Sequence, residues 1–598
     1  MLRVISTCLL MAVSVSPAIS AEPTAADLLP QRCIAYAEIR QPQLLLDTAL
    51  QHPFWHRVQQ VDAYQQAVQT PQYRFFLGVV ASIETRIGMK WQAAYDTILG
   101  GGVYAAFDPQ SQGAALLIRS TDETKLQTVL QRLIELVRND ARSKSQDDPL
   151  PQSEYRGLIT HGHPNARLTV AGPWIIVSNQ DELGRSIADA WLDGQEQSLV
   201  ANPRFQQARQ RQSGDATLWS WIDIGTLRDA GPASRLKDGK AENPGVELLV
   251  GGVLDALKHT PFVTASLNIA EQSTSIELAV PHQPDWISEA REFWFGPDAS
   301  GVALPLHETA ATVFSLSTYR DVAEMWLRAG DLFDAATNDS LAQAESTLST
   351  LFGGRDFAED ILRSFSPQYR IVAARQDFSN QLPRPAIKVP AFALIAEMHD
   401  AETAQPELRR TYQSLVGFLN VVGAQNGNPQ LDQDIEMVGD AKLYTAQFVP
   451  EPDEKDSDQA RIQFNFSPSV AFVGERFILA STKQLARQLA GELAADASRL
   501  QSDNGRKTGV VPSADEGTSA NTEFRVDVRT LSAILEDNRE QLIAQNMISD
   551  GHSREEAEQQ ISLLLLALDA VRDVHFRLTT TGSEVRGSLA ISTPATEN

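Results

Sequence analysis

The chain has 598 residues, of which 42% are hydrophobic, and its formal net charge is −25 at pH 7. This length and composition allow substantial buried cores. The acidity argues against nucleic acids and anionic lipid surfaces as partners, because like charges repel, and indicates nothing more specific.

The first twenty residues are typical of a secretory signal peptide. A single cation, Arg3, precedes a largely apolar run over residues 4–15, and Ala18 and Ser20 occupy the small-residue positions that signal peptidase reads. We predict cleavage after Ser20 and an extracytoplasmic location, in the periplasm or outside the cell. An uncleaved anchor is the alternative, although the run is shorter than the about 20 apolar residues of a spanning helix. No later segment has the composition of a transmembrane helix.

Cys33 is the only cysteine that remains after this cleavage, because Cys8 lies in the predicted signal peptide. One thiol cannot form an intramolecular disulfide. Cys33 opens an apolar predicted strand, which indicates a buried, unreactive thiol.

Beyond the signal peptide, the predicted elements follow the same order twice. Residues 34–40 and 313–320 each form a predicted strand that leads into a helix. Further strands, an amphipathic helix and a hairpin follow in both halves. Strands lie at 103–107 and 116–122 in the first half and at 369–374 and 394–400 in the second. The amphipathic helix comes next in each half, and a hairpin follows at 155–171 and at 442–466.

The correspondence is closest at residues 174–183 and 476–485, where an apolar strand runs into an amphipathic helix. The helical spacing predicts a stripe that packs on the sheet, formed by Leu183, Ile187 and Trp191 in the first half and by Leu485, Leu489 and Leu493 in the second. Polar side chains at both helix starts have the spacing of a capping box, in which side chains satisfy unpaired backbone amides. The predicted boxes pair Asn179 with Glu182 and Ser481 with Gln484. Two later segments also align, 221–227 with 525–531 and 276–280 with 587–591.

We therefore predict an α+β protein of two tandem, internally homologous repeats, each with helices packed on a mainly antiparallel sheet. The repeats span residues 21–290 and 305–598, with a linker at 291–304. Segments at about 450–460 and 502–521 are rich in charged and small polar residues, which predicts mobile insertions.

The two repeats place Asp223 and Asp527 at equivalent positions, which makes them weak candidates for paired catalytic carboxylates. The alternative is structural. An acidic residue near a helix start is favoured by the helix dipole alone, and the following Thr226 or Thr530 could cap that helix.

His161 and His163 are weak candidates for metal ligands, because two imidazoles could meet a third ligand; the alternative is the polar turn of a hairpin. The sequence has no Gly-x-Ser-x-Gly elbow, no His-Glu-x-x-His motif and no paired-cysteine site. We expect neither a bound metal nor a cofactor.

Three segments resemble a family of large exported bacterial proteins of unknown function with a duplicated α+β domain. Residues 28–40 read Leu-Leu-Pro-x-x-x-x-x-Tyr-Ala-Glu-Ile-Arg, residues 99–104 read Leu-Gly-Gly-Gly-Val-Tyr, and residues 174–179 read Trp-Ile-Ile-Val-Ser-Asn. The resemblance covers nearly the whole mature chain. It implies an exported, duplicated α+β protein and offers no site residues to transfer.

These observations predict an exported, non-catalytic binding or scaffold protein of the bacterial envelope or extracellular space. It would hold an envelope or extracellular protein or polymer in a cleft between the repeats or on an exposed sheet face. The alternatives are an extracytoplasmic hydrolase with its site in that cleft and an inactive descendant of an enzyme. A deep cleft with convergent carboxylates or a metal would favour the hydrolase, and a shallow apolar patch would favour binding.

Overall fold

The structure is a computed structural model. It describes residues 22–594 except 52–54, 56, 57, 60, 61, 164, 213, 215, 231–239, 242, 271, 380, 453, 458 and 504–518. The predicted signal peptide and most of the predicted insertion at 502–521 lie outside the described residues.

The chain forms two compact units. The first comprises residues 1–43 and 77–213, and the second comprises residues 44–76 and 214–598. These units are defined by contacts between residues, whereas the predicted repeats are defined by the order of strands and helices along the sequence. The repeat boundaries at 290 and 305 therefore stay a prediction.

The first unit contains an antiparallel sheet of seven strands in its described part. The strands are β1 Ala35–Ile39, β2 Val103–Asp108, β3 Gly113–Arg119, β4 Gln152–Tyr155, β5 Leu158–His163, β6 Ala166–Ala171 and β7 Trp174–Ser178. Their spatial order is β1-β2-β3-β7-β6-β5-β4.

The second unit contains an antiparallel sheet of thirteen strands in its described part. The strands are β8 Leu218–Ile222, β9 Val263–Ala270, β10 Ser273–Pro281, β11 Thr312–Tyr319, β12 Phe365–Ala374, β13 Ala391–Met398, β14 Leu431–Val438, β15 Ala441–Phe448, β16 Ser469–Val473, β17 Arg476–Ala480, β18 Thr522–Asp527, β19 Asp573–Thr580 and β20 Glu584–Ser592. Their spatial order is β8-β9-β10-β20-β19-β18-β11-β12-β13-β17-β16-β15-β14. Within it, β11 to β17 follow the same order as β1 to β7.

Helices connect these strands. The α-helices are α1 Ala25–Leu28, α2 Pro42–Gln51, α3 Asp62–Gln69, α4 Pro71–Ile87, α5 Trp91–Leu99, α6 Glu123–Ser143, α7 Asp181–Asp193, α8 Pro203–Gln210, α9 Ile224–Asp229, α10 Pro244–His259, α11 Glu292–Phe295, α12 Val322–Leu327, α13 Ala329–Leu332, α14 Ala335–Leu351, α15 Ala401–Gln425, α16 Lys483–Asp503, α17 Val528–Asp537, α18 Arg539–Asp550 and α19 Arg554–Asp569. Short 3-10 turns lie at Leu199–Ala201, Pro284–Trp286, Glu289–Arg291, Pro297–Ala299, Leu362–Ser364 and Ile462–Asn465, and a π turn lies at Phe357–Ile361.

The prediction of an α+β, mainly antiparallel fold is confirmed. Among the described residues, no helix has both the length and the apolar character of a membrane span.

Helix α16 lies on one face of the sheet in the second unit because its apolar stripe is buried there. Leu485, Leu489 and Leu493 are at most 3% exposed and form a core cluster with side chains of β13, β15 and β17. In the first unit, Leu183 and Ile187 of α7 are fully buried in the same way. Helical spacing correctly predicted that these side chains are buried, whereas Trp191, the last residue of the predicted first stripe, is only partly buried.

The predicted capping boxes are wrong. The Oδ1 atom of Asn179 accepts a hydrogen bond from the Ala114 amide at 2.8 Å, and the Oγ atom of Ser481 accepts one from the Phe392 amide at 2.9 Å. Both side chains directly follow a strand, so the neighbouring strand's backbone lies closer than the helix start. The start of α16 is capped instead by Thr482, whose Oγ1 accepts a hydrogen bond from the Leu485 amide.

The hairpin predicted at residues 442–466 is correct only in its first strand. Residues 462–465 form a 3-10 turn, and the partner strand is β16, which begins after Pro468. The Asn465 side chain holds this turn by donating to the Ile462 carbonyl oxygen at 2.8 Å.

Candidate functional site

The two candidate carboxylates, Asp223 and Asp527, both cap helices. Asp223 precedes α9 and accepts a hydrogen bond from the Thr226 amide at 2.8 Å. Asp527 precedes α17 and accepts one from the Thr530 amide at 2.7 Å. The aspartates, rather than the threonines, are therefore the caps. Their shared position in the two halves has a structural role that needs no catalytic explanation.

The two candidate metal ligands, His161 and His163, lie within strand β5 and not in a turn. His161 is buried, and this burial, together with the nearby cation of Arg138, lowers its pKa. His163 is exposed, and its Nδ1 atom accepts a hydrogen bond from the Asn165 amide at 3.3 Å. Among the described residues, no group of three or more His, Cys, Asp or Glu side chains is arranged to hold a metal ion.

Cys33 is fully buried, as predicted, and burial raises the pKa of its thiol to about 12. A protonated, inaccessible thiol is a poor nucleophile.

The first unit contains a buried ionic cluster that no sequence motif indicated. The Glu38 carboxylate is 4% exposed and accepts hydrogen bonds from Arg209 at 2.7 Å, from Tyr36 at 2.8 Å and from Arg40 at 2.9 Å. These residues line a cavity of about 670 Å³. Burial raises the pKa of Glu38, but the hydrogen bonds and charge of Arg209 outweigh this effect, and the pKa is lowered. An ionised carboxylate held this firmly is a poor proton acceptor near neutral pH.

The sheet of the second unit carries a row of uncharged, apolar side chains from β8 to β17. Each member of this central row is the register partner of the next, so the side chains adjoin across ten strands. The central row consists of Leu218, Leu267, Ile276, Leu589, Phe576, Phe524, Leu316, Ile371, Leu394 and Leu479.

Two further rows flank the central row on the same side of the sheet, because side chains two residues apart along a strand share a face. The upper row consists of Ile269, Thr274, Ile591, Val574, Val526, Phe314, Ala373 and Phe392. The lower row consists of Ser220, Ala265, Leu278, Gly587, Leu578, Thr522, Thr318, Tyr369, Ala396 and Phe477. None of the three rows contains a charged residue. We call this set of residues the uncharged face.

Large apolar side chains of the uncharged face are accessible to solvent. Phe392 is 55% exposed, Leu278 54%, Ile276 44%, Leu479 40% and Ile371 38%. Soluble proteins rarely leave several large apolar side chains exposed on one continuous surface without a partner that covers them. The uncharged face is therefore the candidate binding site.

The opposite face of these strands is apolar and buried against α16 at β12, β13 and β17, and it is polar at β11, β18 and β19. On β11, Ser315 and Ser317 point away from the uncharged face and are 0% exposed. Further along the sheet, Glu523 of β18 and His575 of β19 form a hydrogen bond on this opposite face, with 2.7 Å between the carboxylate Oε1 and the imidazole Nε2. At β11, the usual arrangement is thus inverted, since the serines are inside and Leu316 of the uncharged face is partly exposed.

The uncharged face has two covered margins within the second unit. Beyond Leu479 the central row continues to Val470 and Tyr444, which are buried in a cluster with Tyr412 and Val416 of α15. Beyond the lower row, Val280 and Val585 are buried in a cluster that includes the aromatic residues 293–295. This cluster also contains Leu578 of the lower row, and Phe576 of the central row packs against it. The open area lies between these margins, and the partly buried rings of Phe524 and Phe576 stack beside it with centroids 5.1 Å apart.

Comparison with protein-family models finds no match, and comparison with curated proteins finds none either. Among solved structures, crystal form III of TP0453 is 10% identical and covers 44% of this chain and 80% of that chain, with a TM-score of 0.23. Crystal form I of TP0453 is 11% identical and covers 44% and 79%, also with a TM-score of 0.23. A TM-score this low supports no inference about fold or function.

Proposed function

We propose that the protein is an exported, non-catalytic binding protein that holds an apolar partner on the uncharged face. One observation carries this proposal: large apolar side chains in adjacent rows of the uncharged face are exposed to solvent on the sheet of the second unit, with Ile371 and Leu479 about two-fifths exposed. Covering apolar surface contributes about 25 cal/mol per Å² removed from water, so a partner on this face gains affinity from area alone.

The assignment of Asp223 and Asp527 as helix caps also supports a binding role over hydrolysis. Both carboxylates have a hydrogen-bonded structural role at the start of a helix. Among the candidate residues that the structure describes, no nucleophile and base lie in contact. The described residues thus favour the binding hypothesis over the hydrolase alternative.

Export is the part of the proposal that depends on residues 1–20 alone. The apolar run and the small residues at Ala18 and Ser20 support it. Mass spectrometry of the protein isolated from its native host tests this directly. A mature chain that begins at Ala21 supports export, and a chain that retains residues 1–20 contradicts the predicted cleavage.

We further infer that the two halves arose by internal duplication. The order of β1 to β7 recurs in β11 to β17, and Asn179 and Ser481 bind the backbone of equivalent neighbouring strands. Asp223 and Asp527 likewise make the same capping bond. Three independent local details agree with the sequence alignment, and chance similarity would not reproduce all of them. The resemblance to exported proteins with a duplicated domain is consistent with this inference.

An uncharged fluorescent probe tests the binding proposal. N-phenyl-1-naphthylamine fluoresces when it enters an apolar environment, and we expect saturable binding to the mature protein. The variants Ile371→Glu and Leu479→Glu place a charge in the central row and should reduce the affinity about tenfold, because a carboxylate must then be desolvated. Ile548→Glu is the matched control, since Ile548 lies on α18, belongs to none of the three rows and is 80% exposed.

The control separates a specific site from general stickiness. Loss of probe binding in the two central-row variants, with binding retained in Ile548→Glu, supports the proposal. Equal binding by all three variants, each folded as judged by circular dichroism, would place the apolar site elsewhere and overturn it.

A further inference from the structure

A second surface feature of the second unit lies where strand β12 ends. A cavity of about 600 Å³ is lined by four cations, Arg375, Arg384, Lys388 and Arg529, and by two carboxylates, Asp377 and Asp537. We call it the cationic pocket. Its volume suits a small ligand or the polar group of a larger one.

The carboxylates of the cationic pocket do not neutralise it. Arg375 donates to both carboxylate oxygens of Asp537, at 2.7 and 2.9 Å, and this pairing raises the pKa of Arg375. Arg384 donates instead to the backbone carbonyl oxygens of Phe378 and Ser379, and Lys388 donates to the backbone carbonyl oxygen of Asp537.

Arg529 adds an accessible charge to the pocket. It is exposed and forms no ion pair with any residue that the structure describes. Four cations against two carboxylates therefore leave positive charge in the pocket of a chain whose net charge is −25. This local charge is available for an anion.

The cationic pocket adjoins the uncharged face. Ala373 belongs to the upper row, and Arg375 follows it by two residues. The Arg375 amide donates to the Ala311 carbonyl oxygen at 2.9 Å, which extends the β11–β12 ladder beyond the last strand residue. Exposure alternates from Ile371 to Arg375, so Arg375 lies on the same side of the strand as Ala373. The apolar row thus leads directly into the positive charge.

We propose that the uncharged face and the cationic pocket together bind an anionic amphiphile, with its apolar chain along the sheet and its carboxylate or phosphate group in the pocket. This inference rests on the proposed function and adds the chemical class of the ligand. Arginine suits carboxylate and phosphate groups because its planar guanidinium donates two parallel hydrogen bonds.

The negative net charge does not oppose this binding at short range. The Debye length is about 8 Å at physiological ionic strength, so a bound anionic group responds mainly to the charges that line its own site. A dispersed amphiphile meets four cations and two carboxylates there, a local excess of positive charge. An extended anionic lipid surface would meet the acidic exterior as well.

Displacement titrations with two matched ligands test the proposal. Dodecanoate and dodecan-1-ol have the same apolar chain, and only dodecanoate is charged at pH 7. Below their aggregation concentrations, each is titrated against protein loaded with N-phenyl-1-naphthylamine. We expect dodecanoate to bind about tenfold more tightly, as charge-assisted hydrogen bonds imply.

Substitutions in the cationic pocket test whether the preference for dodecanoate over dodecan-1-ol arises there. Arg529→Gln and Lys388→Gln should each reduce the preference for dodecanoate without changing the affinity for dodecan-1-ol. Arg410→Gln is the matched control, because Arg410 is an exposed arginine on α15 outside the pocket. The preference should persist in that variant.

Each other result overturns the inference in a recognisable way. Equal affinity for both ligands would leave the uncharged face as a binding site and exclude the cationic pocket from it. Calorimetric binding of inorganic phosphate as tight as that of dodecanoate would make the pocket a site for free anions. Failure of both ligands, together with failure of the uncharged probe to bind, would overturn the proposed function as well.

Discussion

Glu277 on β10 lies directly opposite Ser588 on β20, and the alignment of the two halves makes these same residues equivalent. Antiparallel strands that are equivalent and meet at equivalent residues are related by a local two-fold axis. If the two halves arose by the duplication inferred above, this axis would pass between Glu277 and Ser588, and the two copies would pair through their last strands.

Two neighbours on β17 should differ strongly in their contribution to stability. Ile478 is fully buried beneath α16, whereas Leu479 is 40% exposed on the uncharged face. We expect Ile478→Ala to reduce the free energy of unfolding by about 2–5 kcal/mol, because it leaves a cavity. Leu479→Ala should cost about 1 kcal/mol or less, because the side chain buries little area in the free protein. Denaturant titration of both variants measures the difference, and equal losses would mean that the face is covered.

The capping role of Asp223 and Asp527 predicts that the hydrogen bond, and not the charge, matters most. Asp223→Ala and Asp527→Ala should each cost about 1 kcal/mol of unfolding free energy. Asn accepts the same bond from the Thr226 or Thr530 amide, so Asp223→Asn and Asp527→Asn should retain most of the stability. Losses as large in the Asn variants as in the Ala variants would show that the carboxylate has another role.

The strand-to-strand bonds of Asn179 and Ser481 give a third expectation. Ser481 is 7% exposed, so Ser481→Ala leaves the Phe392 amide without an acceptor and should cost about 1–3 kcal/mol. Asn179 is exposed, so water can replace it at the Ala114 amide and Asn179→Ala should cost less. Hydrogen exchange at the two amides measures both effects, with faster exchange expected at Phe392 in Ser481→Ala. Unchanged exchange there would contradict the assigned bond.

The lowered pKa of Glu38 predicts acid sensitivity in the first unit. A carboxyl whose pKa is lower in the folded state stabilises that state fully above its unfolded pKa, about 4.3, and loses this contribution as the pH falls through the folded value. The stability difference between the wild type and Glu38→Gln should therefore be constant from pH 7 to about 5 and shrink at lower pH. Unfolding free energies across this range provide the measurement. A difference that is independent of pH would contradict the ionised state of Glu38, and Glu555→Gln, at an exposed position, is the control.

Sequence patterns predicted the helices and strands better than the hydrogen bonds formed where a strand meets the next helix. Leu485 and Leu489 of α16 were correctly predicted to be buried because helical spacing is a property of one segment. The predicted caps at Asn179 and Ser481 failed because the competing donor, a backbone amide of a neighbouring strand, is distant in sequence. Local spacing carries no information about such a neighbour.

The uncharged face was beyond sequence prediction for the same reason. Alternation in the segments 314–318 and 574–578 does show that one side of each strand is apolar. That pattern is equally typical of a strand packed on a core. Only the register of ten strands reveals that Leu316, Phe524 and Phe576 adjoin, and only the packing of the helices shows that this side stays open.

Photochemical labelling tests the central claim most directly. A dodecanoate that carries a diazirine on its chain would be bound to the mature protein, activated by light, and located by mass spectrometry of the peptides. We predict labelling of β12, β13 and β17 near Ile371, Phe392 and Leu479, suppressed by excess unlabelled dodecanoate. Label confined to helices such as α4 or α18, with none on these strands, would contradict binding at the uncharged face.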